Sequence, residues 1–420
     1  MPTAEPRNLT QRPKRPPVAA FMNMLGRGMG KLGVTSPKFD LAAITTEAKK
    51  QTGLSDFDGE SFRAALDPLL WALEHEANLN QLGRIVMRGM IVSALASRLR
   101  VVDWEKTNPE AAKADVKAPL IVYGMPRTGT TILYETLAAS PQLRAPLTWE
   151  CRDYHLAHEI KDARNDPRIT KLGKNMARMD RLMPGFSAIH YFDPFIPTEC
   201  VGLTILDLVS EQFPALAWLP TYRNEFLLKN DFKSAYNWHK RGLRYFQFTT
   251  PDTQWVLKTP MHSAYLGSLL ETYPDACLIH THRNPMEVIA SVSSLCHTGR
   301  SGWSDHVATH KYAEHDVGYI AEITRRATAF RADNPQTEDR IYDVAFKQFL
   351  AEPEKVVEGI HAHFNRELSA SSKTAMMDYL TNRPRNKYGV HRYSLEDFGL
   401  SEAAHGPLFS DYRNRFHSYL

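Results

Sequence analysis

Residues 119–131, P-L-I-V-Y-G-M-P-R-T-G-T-T, leave this 420-residue chain few folds to choose from. An apolar run that closes on a glycine reads as a buried strand, and Thr130–Ala139 behind it reads as a helix. Strand, glycine-bounded turn and helix start in direct succession aim backbone N–H groups at one point. The helix dipole adds positive potential there. An anion, phosphate above all, belongs at that point. The spacing Gly124-x-x-x-x-Gly129 is that of a Walker loop, but Thr130 stands where the lysine would be and only Thr131 keeps the expected hydroxyl. A nucleotide hydrolase needs that lysine on the β- and γ-phosphates. The loop therefore predicts phosphate binding without a magnesium triphosphate, with Arg127 supplying the cation.

The pattern repeats downstream. Trp255–Lys258, Ala276–His282 and Ile341–Phe346 read as strands. His262–Tyr273, Pro285–Leu295 and Glu354–Phe364 read as helices, the second opened by a proline. Such alternation predicts an α/β fold: a P-loop-type parallel sheet flanked by helices. Ahead of it, Phe39–Trp104 is helical, with Phe62, Leu66, Leu69, Leu70 and Leu73 on one stripe and Leu82, Ile85, Val86, Met90 and Leu95 on another. The expected layout is a disordered basic tail over 1–18, an N-terminal helical region over 19–118 and an α/β domain over 119–420. That domain carries a helical, aromatic-rich insertion at about 151–250. The N-terminal helices are either a separate domain or a cap on the sheet.

Composition narrows the setting. A net charge of +4 is too mild to argue for nucleic acid and suits a site for a polyanionic small molecule. The four cysteines form no C-x-x-C pair, which argues against a disulfide framework or a zinc ribbon. With no apolar stretch near 20 residues and no signal-peptide core, the expectation is a cytoplasmic protein without stable membrane insertion. His155/His158 and His306/His310 have helical spacing but no H-E-x-x-H context, so no metal is expected from them.

P-R-T-G-T-T resembles the 5′-phosphosulfate loop of sulfotransferases, P-(K/R)-(S/T)-G-T-T. The likeness continues through L-x-x-x-L-A-x-S-P (133–141) and P-L-T-W-E (146–150). A second stretch, H-T-H-R-N-P-M-E-V-I-A-S (280–291), has an arginine and a serine at the spacing with which that family holds a 3′-phosphate. The chain resembles the bacterial sulfotransferases that use 3′-phosphoadenylyl sulfate (PAPS) and are related to tyrosylprotein sulfotransferases. The resemblance implies PAPS as co-substrate, adenosine 3′,5′-bisphosphate as product and no metal. It places Arg127, Thr128, Gly129, Thr130 and Thr131 around the 5′-phosphosulfate and Arg283 and Ser291 on the 3′-phosphate. Phe346 stands where cytosolic relatives carry a tyrosine beside the adenine. Lys387, with Arg385 and Gly389, is similar to the basic glycine loop that closes over the 3′-phosphate.

For the chemistry, the resemblance puts Lys258, in V-L-K-T-P-M-H, beside the transferring sulfuryl group, where it neutralises the leaving oxygen. An acceptor hydroxyl also needs a base. Glu150 is the first candidate, 23 positions after Arg127 in the region where tyrosylprotein relatives keep a catalytic glutamate. His262 is the second, four residues after Lys258, and Glu199 is the third. The aromatic insertion suits either an apolar acceptor pocket or plain helix packing. The expected function is sulfuryl transfer to a hydroxyl of an apolar small molecule or lipid. The alternatives are a P-loop nucleotide kinase or NTPase and a non-enzymatic nucleotide-binding protein.

Overall fold

The computed structural model describes residues 37–182, 193–383 and 393–420, with a few positions between 16 and 24. Nearly all of the expected tail lies outside the described residues, as do Arg385, Lys387 and Gly389.

Four strands form one parallel sheet: β1 (Leu120–Gly124), β2 (Val256–Lys258), β3 (Cys277–His282) and β4 (Ile341–Ala345), in the order β2-β1-β3-β4. Leu120 stands opposite Val256 on one side and Cys277 on the other, and Leu278 stands opposite Ile341. Every residue of β1 and β2 is buried. Helices cover both faces of a parallel sheet, which is why these strands are continuous apolar runs rather than alternating ones. Because all strands point the same way, Gly124, Lys258, His282 and Ala345 end at one edge. That edge is where open α/β sheets bind ligands.

The N-terminal helices are α1 (Leu41–Thr52), α2 (Arg63–His75) and α3 (Gln81–Thr107). The Asp40 carboxylate caps α1 by accepting from the Ala43 N–H at 2.8 Å, and Asn80 caps α3 through Gly83 at 2.9 Å. The stripe on α2 is buried as the spacing predicts. On α3 it is rotated: Ile85 is exposed, while Leu82, Met87, Ile91 and Leu95 face inward. A single apolar core runs from Leu66 and Ile91 through Leu203, Trp238 and Phe246 of the insertion to Ile121, Leu257 and Leu278 of the sheet. A buried ion pair ties the same parts together. Arg98 of α3 holds Asp207 at 2.7 Å, and its guanidinium lies 3.7 Å from the Trp238 ring centre.

Next along the chain come α4 (Thr130–Ala138), α5 (Thr148–Arg152), α6 (Pro167–Leu182), α7 (Lys233–Gln247), α8 (Leu266–Thr272), α9 (Pro285–Trp303) and α10 (Thr309–Asp333). Three expectations need correction. The helix read over His262–Tyr273 is split into a 3-10 turn, Pro260–Ala264, and α8. Tyr265 breaks it with φ −137°, because its hydroxyl is tied to the Leu227 carbonyl and its ring stacks on Phe232. The helix from Pro285 does not stop near Leu295 but runs to Trp303, whose side chain is anchored in the main core. Phe346 does not end β4; it opens the short helix Phe346–Ala351.

Behind the sheet edge, His280 and His282 of β3 are buried with Asp343 of β4 and Arg331 of α10. Asp343 meets His282 at 2.7 Å and Arg331 at 2.7 Å, and Arg331 also contacts Glu338. Tyr412 and Phe416 pack over the imidazoles, with Tyr123, Arg415 and Tyr419 at the margins. Burial holds both histidines below their ordinary pKa, His280 well below. The unfolded chain protonates them near 6.5 while the fold keeps them neutral. The unfolded state therefore binds more protons below that pH, and stability falls as pH drops. The expected slope is about 1.4 kcal/mol per pH unit for each histidine that stays neutral in the fold. Denaturant titrations at pH 7, 6 and 5 should show this loss, and His280→Gln should flatten it.

Candidate active site

The loop after β1 depends on backbone that ordinary side chains avoid. Gly124 has φ 138° and Gly129 has φ 88°. A Cβ on Gly124 would lie 2.6 Å from the Thr281 carbonyl oxygen, and one on Gly129 would lie 2.4 Å from the Phe346 ring. Between them Arg127 is left-handed at φ 67°, a conformation uncommon for a non-glycine residue. Thr128 pins the turn: its hydroxyl donates to the Met125 carbonyl at 2.6 Å and lies 2.6 Å from the Thr281 hydroxyl on β3. The loop then enters α4, whose first N–H groups have no intrahelical carbonyl to bond. Thr130 is buried there and Thr131 is half-buried. Gly129→Ala combines backbone strain with the Phe346 clash, so it should destabilise the fold by about 2–4 kcal/mol. Denaturant unfolding measures this directly.

A cationic cluster forms on the β3 side of the loop. Arg127 donates from Nε to the Ser291 hydroxyl of α9 at 3.1 Å. Arg283 donates to the Arg127 carbonyl at 3.2 Å and to Glu287 at 2.9 Å, with its guanidinium 4.8 Å from the Phe346 ring centre. Burial lowers the Arg127 pKa from its ordinary value, and the neighbouring Arg283 charge acts in the same direction. Arg127, Arg283, Ser291 and Phe346 come from three separate stretches of sequence and meet beside one loop.

On the β2 side stands Lys258, only 1% exposed. Its ammonium reaches the Thr131 hydroxyl at 3.1 Å and the Glu199 carboxylate at 2.5 Å. A buried charge needs such a partner. Thr259 donates to the other Glu199 oxygen at 3.4 Å, and the Cys200 N–H donates to the Lys258 carbonyl at 2.9 Å. The segment 199–200 is thereby fastened to the end of β2. Glu199 is half-buried, at the mouth of the loop.

The other two candidate bases sit differently. Glu150 lies in the first turn of α5, where one oxygen accepts from the Leu147 N–H at 2.8 Å and the other pairs with Arg144. Arg144 in turn lies over Trp255. Glu150 is 3% exposed, and burial raises its pKa. His262 is 1% exposed, its Nδ1 lies 2.9 Å from the Tyr236 hydroxyl, and burial holds its pKa well down. Both carry bonds that close structure around themselves. Sequence reasoning missed Thr281, which seats Thr128; its position two residues before Arg283, at the strand end, was the available signal. Most described aromatics of the insertion, including Phe213, Tyr222, Trp238 and Phe246, are in the core, while Phe248 is exposed.

Among the described residues no helix is long and apolar enough to cross a membrane. The profile of the family described as "Sulfotransferase family" matches residues 119–370, more than half of the chain. A curated relative, omega-hydroxy-beta-dihydromenaquinone-9 sulfotransferase Stf3 of Mycobacterium bovis, is 21% identical over 311 residues, 70% of this chain and 74% of that protein. The crystal structure of sulfotransferase STF9 from Mycobacterium avium superimposes with a TM-score of 0.80 at 26% identity, over 91% of this chain and 98% of that one. STF1 from Mycobacterium tuberculosis gives 0.76 at 28% identity, over 89% and 98%. With the glycine-bounded turn and the parallel sheet already described, these matches establish that the chain belongs to the sulfotransferase family and is a transferase of that kind.

Proposed function

We propose that this sulfotransferase takes its sulfuryl group from PAPS and passes it to a hydroxyl of an apolar small molecule or lipid. The observation that carries this reading is the meeting of Lys258, Glu199 and Thr131 at one side of a loop whose other side holds Arg127, Ser291, Arg283 and Phe346. The loop amides, Thr130, Thr131 and Arg127 receive the 5′-phosphosulfate. Arg283 and Ser291 hold the 3′-phosphate, where a guanidinium fork suits a dianion, and Phe346 stacks on the adenine. Glu199, rather than Glu150 or His262, takes the proton from the acceptor hydroxyl as its oxygen attacks sulfur. The bond between sulfur and the bridging oxygen breaks, and Lys258 neutralises the charge left on that oxygen. The acceptor class is supported by the name of the curated relative, which acts on an omega-hydroxylated menaquinone derivative.

Calorimetric titration with adenosine 3′,5′-bisphosphate, with ATP and magnesium as the control, tests the donor assignment. Tight binding of the bisphosphate and weak binding of ATP is the expected result; the reverse order would remove PAPS as donor. Arg127→Ala should weaken bisphosphate binding roughly 10–100-fold, the loss of a charged hydrogen bond worth about 1.5–3 kcal/mol. An unchanged dissociation constant would take Arg127 out of the donor site.

A further inference from the structure

Beneath the site lies a second cluster that sulfuryl transfer does not use. Cys200, His239 of α7 and His262 of the turn after β2 each present one ligand atom, and these atoms lie within 4.8 Å of one another. All three residues are at most 1% exposed. Each imidazole is held from its Nδ1 side by a tyrosine hydroxyl: His262 by Tyr236 at 2.9 Å and His239 by Tyr273 at 2.6 Å. The Nε2 atoms of both rings are buried and have no hydrogen-bond partner among the described residues. Two orphaned ring nitrogens beside one thiol are unusual, because buried polar atoms are nearly always satisfied. A hydroxyl fixing the far nitrogen of a neutral imidazole is also how outer partners orient a metal-bound histidine.

We propose that Cys200, His239 and His262 form a buried site for a thiophilic d10 metal ion, zinc(II) or copper(I). One thiolate and two neutral imidazoles suit ions of that class. Ligand atoms around such an ion sit closer together than 4.8 Å, so binding draws the three side chains inward by about 1 Å. On binding, the Cys200 thiol proton leaves to solvent, and the Sγ–metal bond takes its place. Carboxylates and hydroxyls that would favour magnesium or calcium are missing from the ligand set. The ion is structural. It ties α7 of the insertion to the turn that follows Lys258 and to the residue next to Glu199, so it holds the segments that carry the reacting pair without touching the reaction. The histidine pairs that sequence spacing singled out, His155/His158 and His306/His310, are not part of it.

The test is metal content of the full chain. Protein produced in zinc- or copper-supplemented medium is gel-filtered and analysed by inductively coupled plasma mass spectrometry. The expected result is about one ion per chain, lost in Cys200→Ser, with a melting temperature several degrees higher in the loaded protein. Which element co-purifies decides between zinc and copper. Equal metal content in the wild type and Cys200→Ser would overturn the site. Should that variant not fold, X-ray absorption on the wild type decides. One sulfur and two imidazole nitrogens in the first shell support the site, and an oxygen-dominated shell rejects it. Neither readout depends on sulfotransferase activity.

Discussion

Lys258→Met lowers turnover about 10²–10³-fold, the usual consequence of removing one charge-stabilising donor from a transition state. Methionine keeps the length and most of the volume of a side chain that is 1% exposed, so the strand end remains packed. Glu199 loses its ion-pair partner but stays half-buried at the mouth of the site, where water solvates it. Affinity for adenosine 3′,5′-bisphosphate should fall much less than turnover, because that product keeps the oxygen that Lys258 neutralises but is also held by the loop amides, Arg127 and Arg283. Single-turnover kinetics beside bisphosphate titration separates the two quantities. Equal losses in both would make Lys258 a donor-binding residue and nothing more.

Glu199→Gln carries the second large effect. The substitution is isosteric and still accepts a hydrogen bond from Lys258, but it cannot take a proton. Turnover should fall about 10²–10⁴-fold with bisphosphate affinity nearly unchanged. Glu150→Gln is the counterpart. Glu150 closes the N-terminus of α5 and holds Arg144, so its loss should cost about 1–3 kcal/mol of stability and leave turnover within a few-fold. A turnover collapse in Glu150→Gln with an active Glu199→Gln would reverse the assignment.

The two carboxylates show where a sequence stops informing. The loop from Gly124 to Thr131 is local: strand, turn and helix start follow one another, and chain spacing alone implies the geometry. The nearness of Arg283 and Ser291 is local for the same reason, since one lies just past the end of β3 and the other in the second turn of α9. Glu199 meets Lys258 across 59 positions, and the stretch 193–200 that carries it has no strand or helix of its own. The sequence offers it only third, whereas Glu150 sits in a motif-like stretch and also closes the N-terminus of α5. His262 is a related case. Proximity to Lys258 in the chain suggests chemistry, but the 3-10 turn swings it under the sheet toward Tyr236. The sheet itself was readable because fully buried strands announce themselves as apolar runs. The rotation of the α3 stripe was not, because several faces of a 27-residue helix are covered by different partners.

The order of strands in the sheet also sets a timetable for the ribosome. β1 is made early, yet its neighbours begin only at Val256 and Cys277. At roughly 5–20 residues per second, the chain needs about 8–30 s to travel from Gly124 to Cys277. For that interval L-I-V-Y-G is an apolar, β-prone segment with at least one edge open, the kind of stretch that pairs with the wrong partner. Ser291 and Phe346 emerge later still, so the candidate site is among the last parts of the molecule to exist. Slower, cooler expression, which leaves fewer such nascent chains side by side, should therefore raise the yield of active protein more than it raises total synthesis.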